Sequence, residues 1–227
     1  MNKFKKILKN CYESFLWIGF LILIADFVTK QVVLHNMIPG PDGQIDIIKG
    51  FFYFEYVVND GMAFGINFNF KDAALANQII FIIISVIGAV IISLIIIKNY
   101  KKLNRLMKAS LGMMLAGCLG NLIDRAFYSQ SYLNSFKGVI ETNGVVDFIA
   151  FDFGSYGFPR FNIADSSLVI GTIIIIIYLI ASEINDARER AKLEKANESD
   201  EKLISKDEMV MDEAKQNDVD VKEDIKE

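Results

Sequence analysis

Nine polar side chains stand in or beside segments that are otherwise apolar: Asp26, Lys30, Asn59, Asn121, Asp124, Arg125, Asp147, Asn162 and Asp165. The chain offers little else for chemistry. His35 is the only histidine, and Cys11 and Cys118 are the only cysteines. That argues against a Ser-His-Asp site, a histidine-rich metal site and a disulfide framework. Neither G-x-S-x-G nor H-E-x-x-H occurs, so no metal or other cofactor is expected. Carboxylates remain. Two of them within a few ångströms cannot both ionise readily, so the pair shares a proton. One member then activates a water as base while the protonated member polarises a carbonyl. Asp26, Asp124, Asp147, Asp152 and Asp165 are all eligible, and spacing alone does not select among them.

These residues need a scaffold, and composition says which kind. Hydrophobic residues make up 52% of the 227 and mean hydropathy is +0.32. An uncharged apolar run of about 18 residues or more is a candidate membrane span. Four are expected, over about 14–34, 73–97, 107–126 and 161–182. The lysines before the first resemble a secretory leader, but no small-residue cleavage site follows, so this segment reads as a retained span. Lys and Arg gather in three short flanks: Lys3, Lys5, Lys6 and Lys9; Lys98, Lys101, Lys102, Arg105 and Lys108; Arg188, Arg190, Lys192 and Lys195. Basic flanks stay on the cytoplasmic side. Both termini are therefore expected there, with loops 35–72 and 127–160 outside. The expected fold class is all-α integral membrane, with four transmembrane helices and a small extracytoplasmic β-element. The latter comes from FFYFEYVVNDGMAFGI, whose Asp60-Gly61 suits the tight turn of a strand pair.

Residues 1–182 form the expected membrane domain, and 183–227 a charged cytoplasmic tail, partly helical and then disordered. The tail holds 16 acidic and 9 basic residues, so the chain's net charge of −4 describes an appendage. That acidic balance gives no support to nucleic-acid binding, for which a basic patch is expected.

On this topology the polar residues converge on the outer membrane boundary. A charged residue at a span centre costs about 2.5–3.5 kcal/mol and needs a partner or a task. Asp26 and Lys30, spaced i, i+4, can pair on one helix face, and Asn121, Asp124 and Arg125 lie at the end of the third span. Blander readings compete. Lys30 and Arg125 can snorkel to headgroups, and Asn162 and Asp165 can serve as helix caps. Gly112, Ala116 and Gly120 read as small residues that let helices approach. Asp165 also suits a charged role, because it opens a helix whose start carries partial positive charge.

Five pieces, in order, resemble the bacterial lipoprotein signal peptidases (signal peptidase II) over residues of about 12–182. They are Asp26-Phe-Val-Thr-Lys30, Asn59-Asp-Gly61-Met-Ala63-Phe64, Gly120-Asn121-Leu-Ile-Asp124-Arg125, Val145-Val146-Asp147-Phe148 and Phe161-Asn162-Ile-Ala164-Asp165. The resemblance implies an aspartic endopeptidase of the bacterial cytoplasmic membrane, with its active site at the outer leaflet boundary. It implies Asp147 and Asp165 as the catalytic pair, with Asp26, Lys30, Asn59, Asn121, Asp124, Arg125 and Asn162 as supporting and substrate-binding residues. The implied substrate is a prolipoprotein carrying a diacylglyceryl cysteine, cut before that cysteine by a monomeric enzyme that contacts membrane lipid. The tail, and a loop over 127–146 longer than the family suggests, depart from the pattern. Two rival classes predict different behaviour: a proton- or ion-coupled transport subunit, whose acids form a relay, and an assembly subunit, whose polar residues only join helices.

Overall fold

Backbone in hydrocarbon must satisfy its own hydrogen bonds, which favours helices wherever long apolar runs occur. A computed structural model describes residues 15–61 and 73–224. Its helices are α1 (Trp17–Asn36), α2 (Ala73–Asn99), α3 (Arg105–Phe127), the single turn α4 (Gln130–Leu133) and α5 (Ile163–Asp224). Four stretches are long and apolar enough to cross a membrane: Trp17–Asn36, Gln78–Asn99, Arg105–Phe127 and Ile163–Lys195. The first begins three residues later and ends two residues later than expected. The chain divides into two compact units, Met1–Ile175 and Ile176–Glu227. In the second unit the helix runs on to Asp224, where disorder was expected of the last part. No glycine or proline follows Gly171, and the alanines, glutamates and lysines that do follow are good helix formers.

The β-element is larger than the expected hairpin. Strands β1 (Ile45–Ile48), β2 (Phe52–Asn59), β3 (Val145–Phe153) and β4 (Tyr156–Gly157) form one antiparallel sheet in that order. The β1–β2 connection turns at Gly50, whose φ of 73° favours glycine. In the described residues β2 therefore pairs with β1 and β3, and the turn lies before β2. The strand expected after Asp60-Gly61 falls at residues 62–72, outside the described residues, as do the lysines at 3, 5, 6 and 9. The partner β3 comes from the second loop, so the sheet joins two segments some ninety residues apart. Beneath it Val33 and Leu34 of α1 and Met37, just after it, form a core with Tyr56, Tyr128, Leu133, Ile140, Val146 and Phe148. The long loop before β3 folds locally onto that core. Asn134 accepts from Ile140 N–H at 2.6 Å, and Asn143 accepts from Gln130 N–H at 2.6 Å.

Small residues set the helix spacing around the polar cluster. A Cβ on Gly19 would lie 2.2 Å from the Gly112 carbonyl oxygen, so α1 and α3 touch through bare backbone. A Cβ on Gly120 would lie 2.7 Å from Asp26 Oδ2 and 2.9 Å from Ala164 Cβ, which brings α3 against both α1 and the start of α5. By contrast, a Cβ on Gly88 would meet only Cys118 Sγ, at an ordinary 3.5 Å. Gly120→Ala is therefore expected to destabilise the protein by about 1–3 kcal/mol through overpacking, whereas Gly88→Ala is nearly neutral. Thermal unfolding of the two variants in one detergent measures the contrast, and equal midpoints would contradict it.

Candidate functional site

The site is assembled from both sides of a buried ammonium. Lys30 is fully buried, and its Nζ lies 2.8 Å from Asp26 Oδ2 and 2.8 Å from Asp124 Oδ2. It also donates to Asn121 Oδ1 at 3.3 Å. Three donors meet three acceptors, so Lys30 is an interior ion pair and does not snorkel. Arg125 is also buried. Its Nη2 donates to the Gly61 carbonyl, and its guanidinium lies 4.7 Å from the Phe81 ring centroid. It does not snorkel either.

Each partner of Lys30 then holds a second element. Asp26 Oδ1 accepts from Ala164 N–H at 2.9 Å, at the start of α5. Asp124 Oδ2 accepts from Val146 N–H at 3.1 Å, next to Asp147 on β3. Asn121 Nδ2 donates to Asp165 Oδ1 at 2.7 Å. Thus α1 and α3 together fix the strand that bears Asp147 and the helix end that bears Asp165.

The opening of α5 is capped from within the cluster. Asn162 Oδ1 accepts from Asp165 N–H at 2.9 Å, and Asp165 Oδ2 accepts from Asn162 N–H at 3.2 Å. This is the reciprocal geometry of a capping box. The capping role considered for both residues is therefore real, and it leaves each a free edge. Asn162 Nδ2 donates to Asp147 Oδ1 at 2.7 Å and to Asn121 Oδ1 at 3.1 Å. From the other side Asn59 Nδ2 donates to Asp147 Oδ2 at 2.8 Å, while Asn59 Oδ1 accepts from Gly61 N–H. Asp147 is 1% exposed. Burial raises its pKa well above the ordinary carboxylate value, and the nearby charge of Asp165 raises it further, against the lowering by Asn59, the Lys30 charge and Asn162.

All nine residues singled out in the sequence belong to this one connected cluster, and Asp152 does not. Asp152 accepts from Tyr53 OH at 3.1 Å, toward the far end of β3. A cavity of about 540 Å³ opens onto Asn59, Asn121, Arg125, Asp147 and Asp165, and it continues between α2, α3 and α5 past Ile84, Gly88, Cys118, Leu168 and Val169. One wall has a polar network that the sequence reading passed over. Arg160, on the cavity wall, donates through Nε to Glu55 Oε2 at 2.7 Å and through Nη2 to Tyr53 OH at 2.7 Å. The available signal was a lone glutamate inside an aromatic strand and an arginine directly before the Phe161-Asn162 pair. Glu55 lies at the irregularity in the β2–β3 register, between Phe54 and Val57, and such bulges re-aim side chains.

A polar cluster of this make-up, with two carboxylates joined through one asparagine, suits acid–base chemistry on a bound carbonyl. Comparison with known proteins is specific. Residues 18–181 match the family model described as signal peptidase (SPase) II. The lipoprotein signal peptidase of Bacillus subtilis (strain 168) is 35% identical over 173 residues, covering 76% of this chain and 97% of that protein. That of Clostridium tetani is 36% identical over 162 residues, covering 71% and 88%. Among solved structures, a bacterial membrane enzyme determined in meso at 2.3 Å superposes with a TM-score of 0.59 at 34% identity, covering 75% of this chain and 90% of that one. The sequence and structure comparisons agree with one another, and the chain belongs to the signal peptidase II family of membrane aspartic endopeptidases.

Proposed function

We propose that Asp147 and Asp165 are the catalytic pair, and that they remove the signal peptide from prolipoproteins whose lipobox cysteine already carries diacylglycerol, cutting the bond before that cysteine. The observation that carries this reading is the shared partner. Asn162 donates to Asp147 through its side chain while its backbone N–H and its Oδ1 engage Asp165. Both acids also line the same cavity.

The roles divide by surroundings. Asp165 receives Asn121 Nδ2 and a backbone N–H at the positive end of a helix, which favours its ionised form. Asp147 is enclosed and holds the shared proton. Asp165 takes a proton from a water, and the hydroxide adds to the scissile carbonyl carbon as Asp147 donates its proton to the carbonyl oxygen. Collapse of the tetrahedral intermediate returns a proton to the Asp147 carboxylate and passes the Asp165 proton to the departing amine. Arg125 Nη1 is buried and has no acceptor among the described residues, so a substrate carbonyl is a fitting partner. The apolar branch of the cavity suits the signal helix and the acyl chains. Lys30, Asp26, Asp124, Asn121, Asn59 and Asn162 hold the pair in place. The basic flanks put the termini in the cytoplasm and the sheet outside a bacterial cytoplasmic membrane, so a substrate anchored by its lipid meets the pair at the outer leaflet boundary. The transport-subunit reading gives way to the family assignment.

Asp147→Asn and Asp165→Asn are each expected to cut turnover of a diacylglyceryl-modified precursor peptide by about 10²–10⁴-fold or more, with the unfolding midpoint retained. Full turnover in either folded variant would remove the pair from the mechanism. The reaction needs the Asp147 proton, and that pKa is raised, so the rate should fall as pH rises through a value well above about 4, the ordinary aspartate value. An alkaline limb unchanged by Asp165→Asn in its residual activity would contradict the mutual influence of the two acids. Activity is also expected to survive an excess of chelator, measured on the same peptide, whereas loss reversed by added zinc would mean a metal-dependent reaction.

A further inference from the structure

A second cavity lies away from the carboxylates. It measures about 340 Å³ and is lined by Leu16, just before the first span, Gly19 and Phe20 within it, Ser93 and Ile96 of α2, and Leu115 of α3, among others. Its walls are almost wholly apolar, and it follows the end of α2 and the beginning of α3. At that same end the connection KNYKKLNRLMK carries Lys98, Lys101, Lys102, Arg105 and Lys108, with no acidic residue among them. Lys98 directly follows Ile96 and Ile97 of the wall. Arg105 rests on the Phe15 ring at 5.7 Å from its centroid, and Phe15 adjoins the wall residue Leu16. Lys108 lies over Tyr100 at 4.1 Å, one turn before the wall residue Gly112. Two of the five cations thus rest on aromatic faces, and Lys98, Lys101, Lys102 and Arg105 are exposed.

We infer that this groove with its cationic end is a binding site for one anionic phospholipid, the acyl chain lying between α1, α2 and α3 and the phosphate among the 98–108 cations. An apolar slot ending in clustered positive charge fits an amphiphile with a negative head, and neither half alone requires one. Each basic residue near a membrane surface favours anionic over neutral lipid by about 1 kcal/mol. Two engaged cations therefore correspond to a preference of at least roughly tenfold. The rival occupant is the chain's own segment 1–14. That segment bears Lys3, Lys5, Lys6 and Lys9 and one acid, Glu13, so its charge opposes the cluster where a phosphate complements it. This site is independent of the peptidase chemistry, since no wall residue belongs to the carboxylate cluster.

The test is native mass spectrometry of the full chain in neutral detergent, titrated with dioleoyl phosphatidylglycerol or dioleoyl phosphatidylcholine. The first phosphatidylglycerol should bind at least roughly tenfold more tightly. Replacing Lys101, Lys102 and Arg105 together by glutamine should bring the two lipids level. Ser93→Phe, which fills the slot, should weaken the first phosphatidylglycerol while the charges remain. Three results would overturn the site: equal affinity for both lipids in the unaltered protein, a preference that survives the triple replacement, or a first binding step unaffected by Ser93→Phe, which would mean surface charge alone. Removal of residues 1–14 should leave the affinity unchanged, and tighter lipid binding would instead identify that segment as the occupant. Unfolding midpoints recorded alongside keep loss of fold separate from loss of binding.

Discussion

One buried ammonium organises this protein. A lysine in a low-dielectric interior is costly unless its charge is neutralised and all its protons are accepted. Lys30 meets both conditions, with Asp26 and Asp124 at 2.8 Å and Asn121 at 3.3 Å. The geometry that satisfies it is demanding, because those acceptors come from two helices that must lie close together. Gly120 makes that approach feasible, since a side chain there would run into Asp26. The helix spacing and the ion pair thus depend on each other. Removing one partner of a buried pair strands the other, which typically costs about 3–5 kcal/mol.

The same contacts carry the arrangement from the helices to the sheet. The oxygens of Asp26 and Asp124 that remain after binding Lys30, or that share it, take backbone N–H groups of Ala164 and Val146. A helix start and a strand are thereby held at fixed positions relative to α1 and α3. The first turn of α5 would otherwise have unsatisfied N–H donors in an apolar setting. Asp26 and Asn162 accept from two of them, and Asp165 accepts from the N–H of Asn162 just before the helix. Capping and site assembly are therefore one structure, and the question of whether Asn162 and Asp165 are caps or site residues has the answer that they are both.

How far this was legible in the sequence differs by feature. The helices were, because four apolar runs admit few alternatives in lipid, and the family was, because five short motifs occurred in order. The i, i+4 relation of Asp26 and Lys30 was visible as well. The sheet was only half visible. Period-two patterning shows that FFYFEYVV is a strand but says nothing about which distant segment pairs with it, and β3 lies in a loop that read as mere connection. Spacing likewise left five aspartates eligible, since only the fold reveals that Asp152 sits with Tyr53 at the other end of β3 from Asp147. Glu55 and Arg160 were missed for a related reason. Their pairing depends on a register irregularity in β2, and such an irregularity arises from tertiary contacts. In the tail, composition argued for disorder, whereas helix-forming side chains without a breaker keep the last helix running.

The distribution of charge explains why the proposed catalytic pair should keep a proton. Four carboxylates, Asp26, Asp124, Asp147 and Asp165, share the cluster with two cations, Lys30 and Arg125. Lys30 is bonded to Asp26 and Asp124, and Arg125 to the Gly61 carbonyl. The hydrogen bonds that reach Asp147 and Asp165 come from the amides of Asn59, Asn121 and Asn162 and from backbone N–H. Amides orient a carboxylate and stabilise its charge partially, but they bring no positive charge to cancel it. Two ionised acids joined through one asparagine would then repel each other in an enclosed space, and the least costly relief is a single proton held between them. A lysine or arginine bonded directly to either acid would remove that need, and with it the acid–base capacity. Neither cation bonds to the pair, and the Lys30 charge lowers the Asp147 pKa by less than burial and Asp165 raise it.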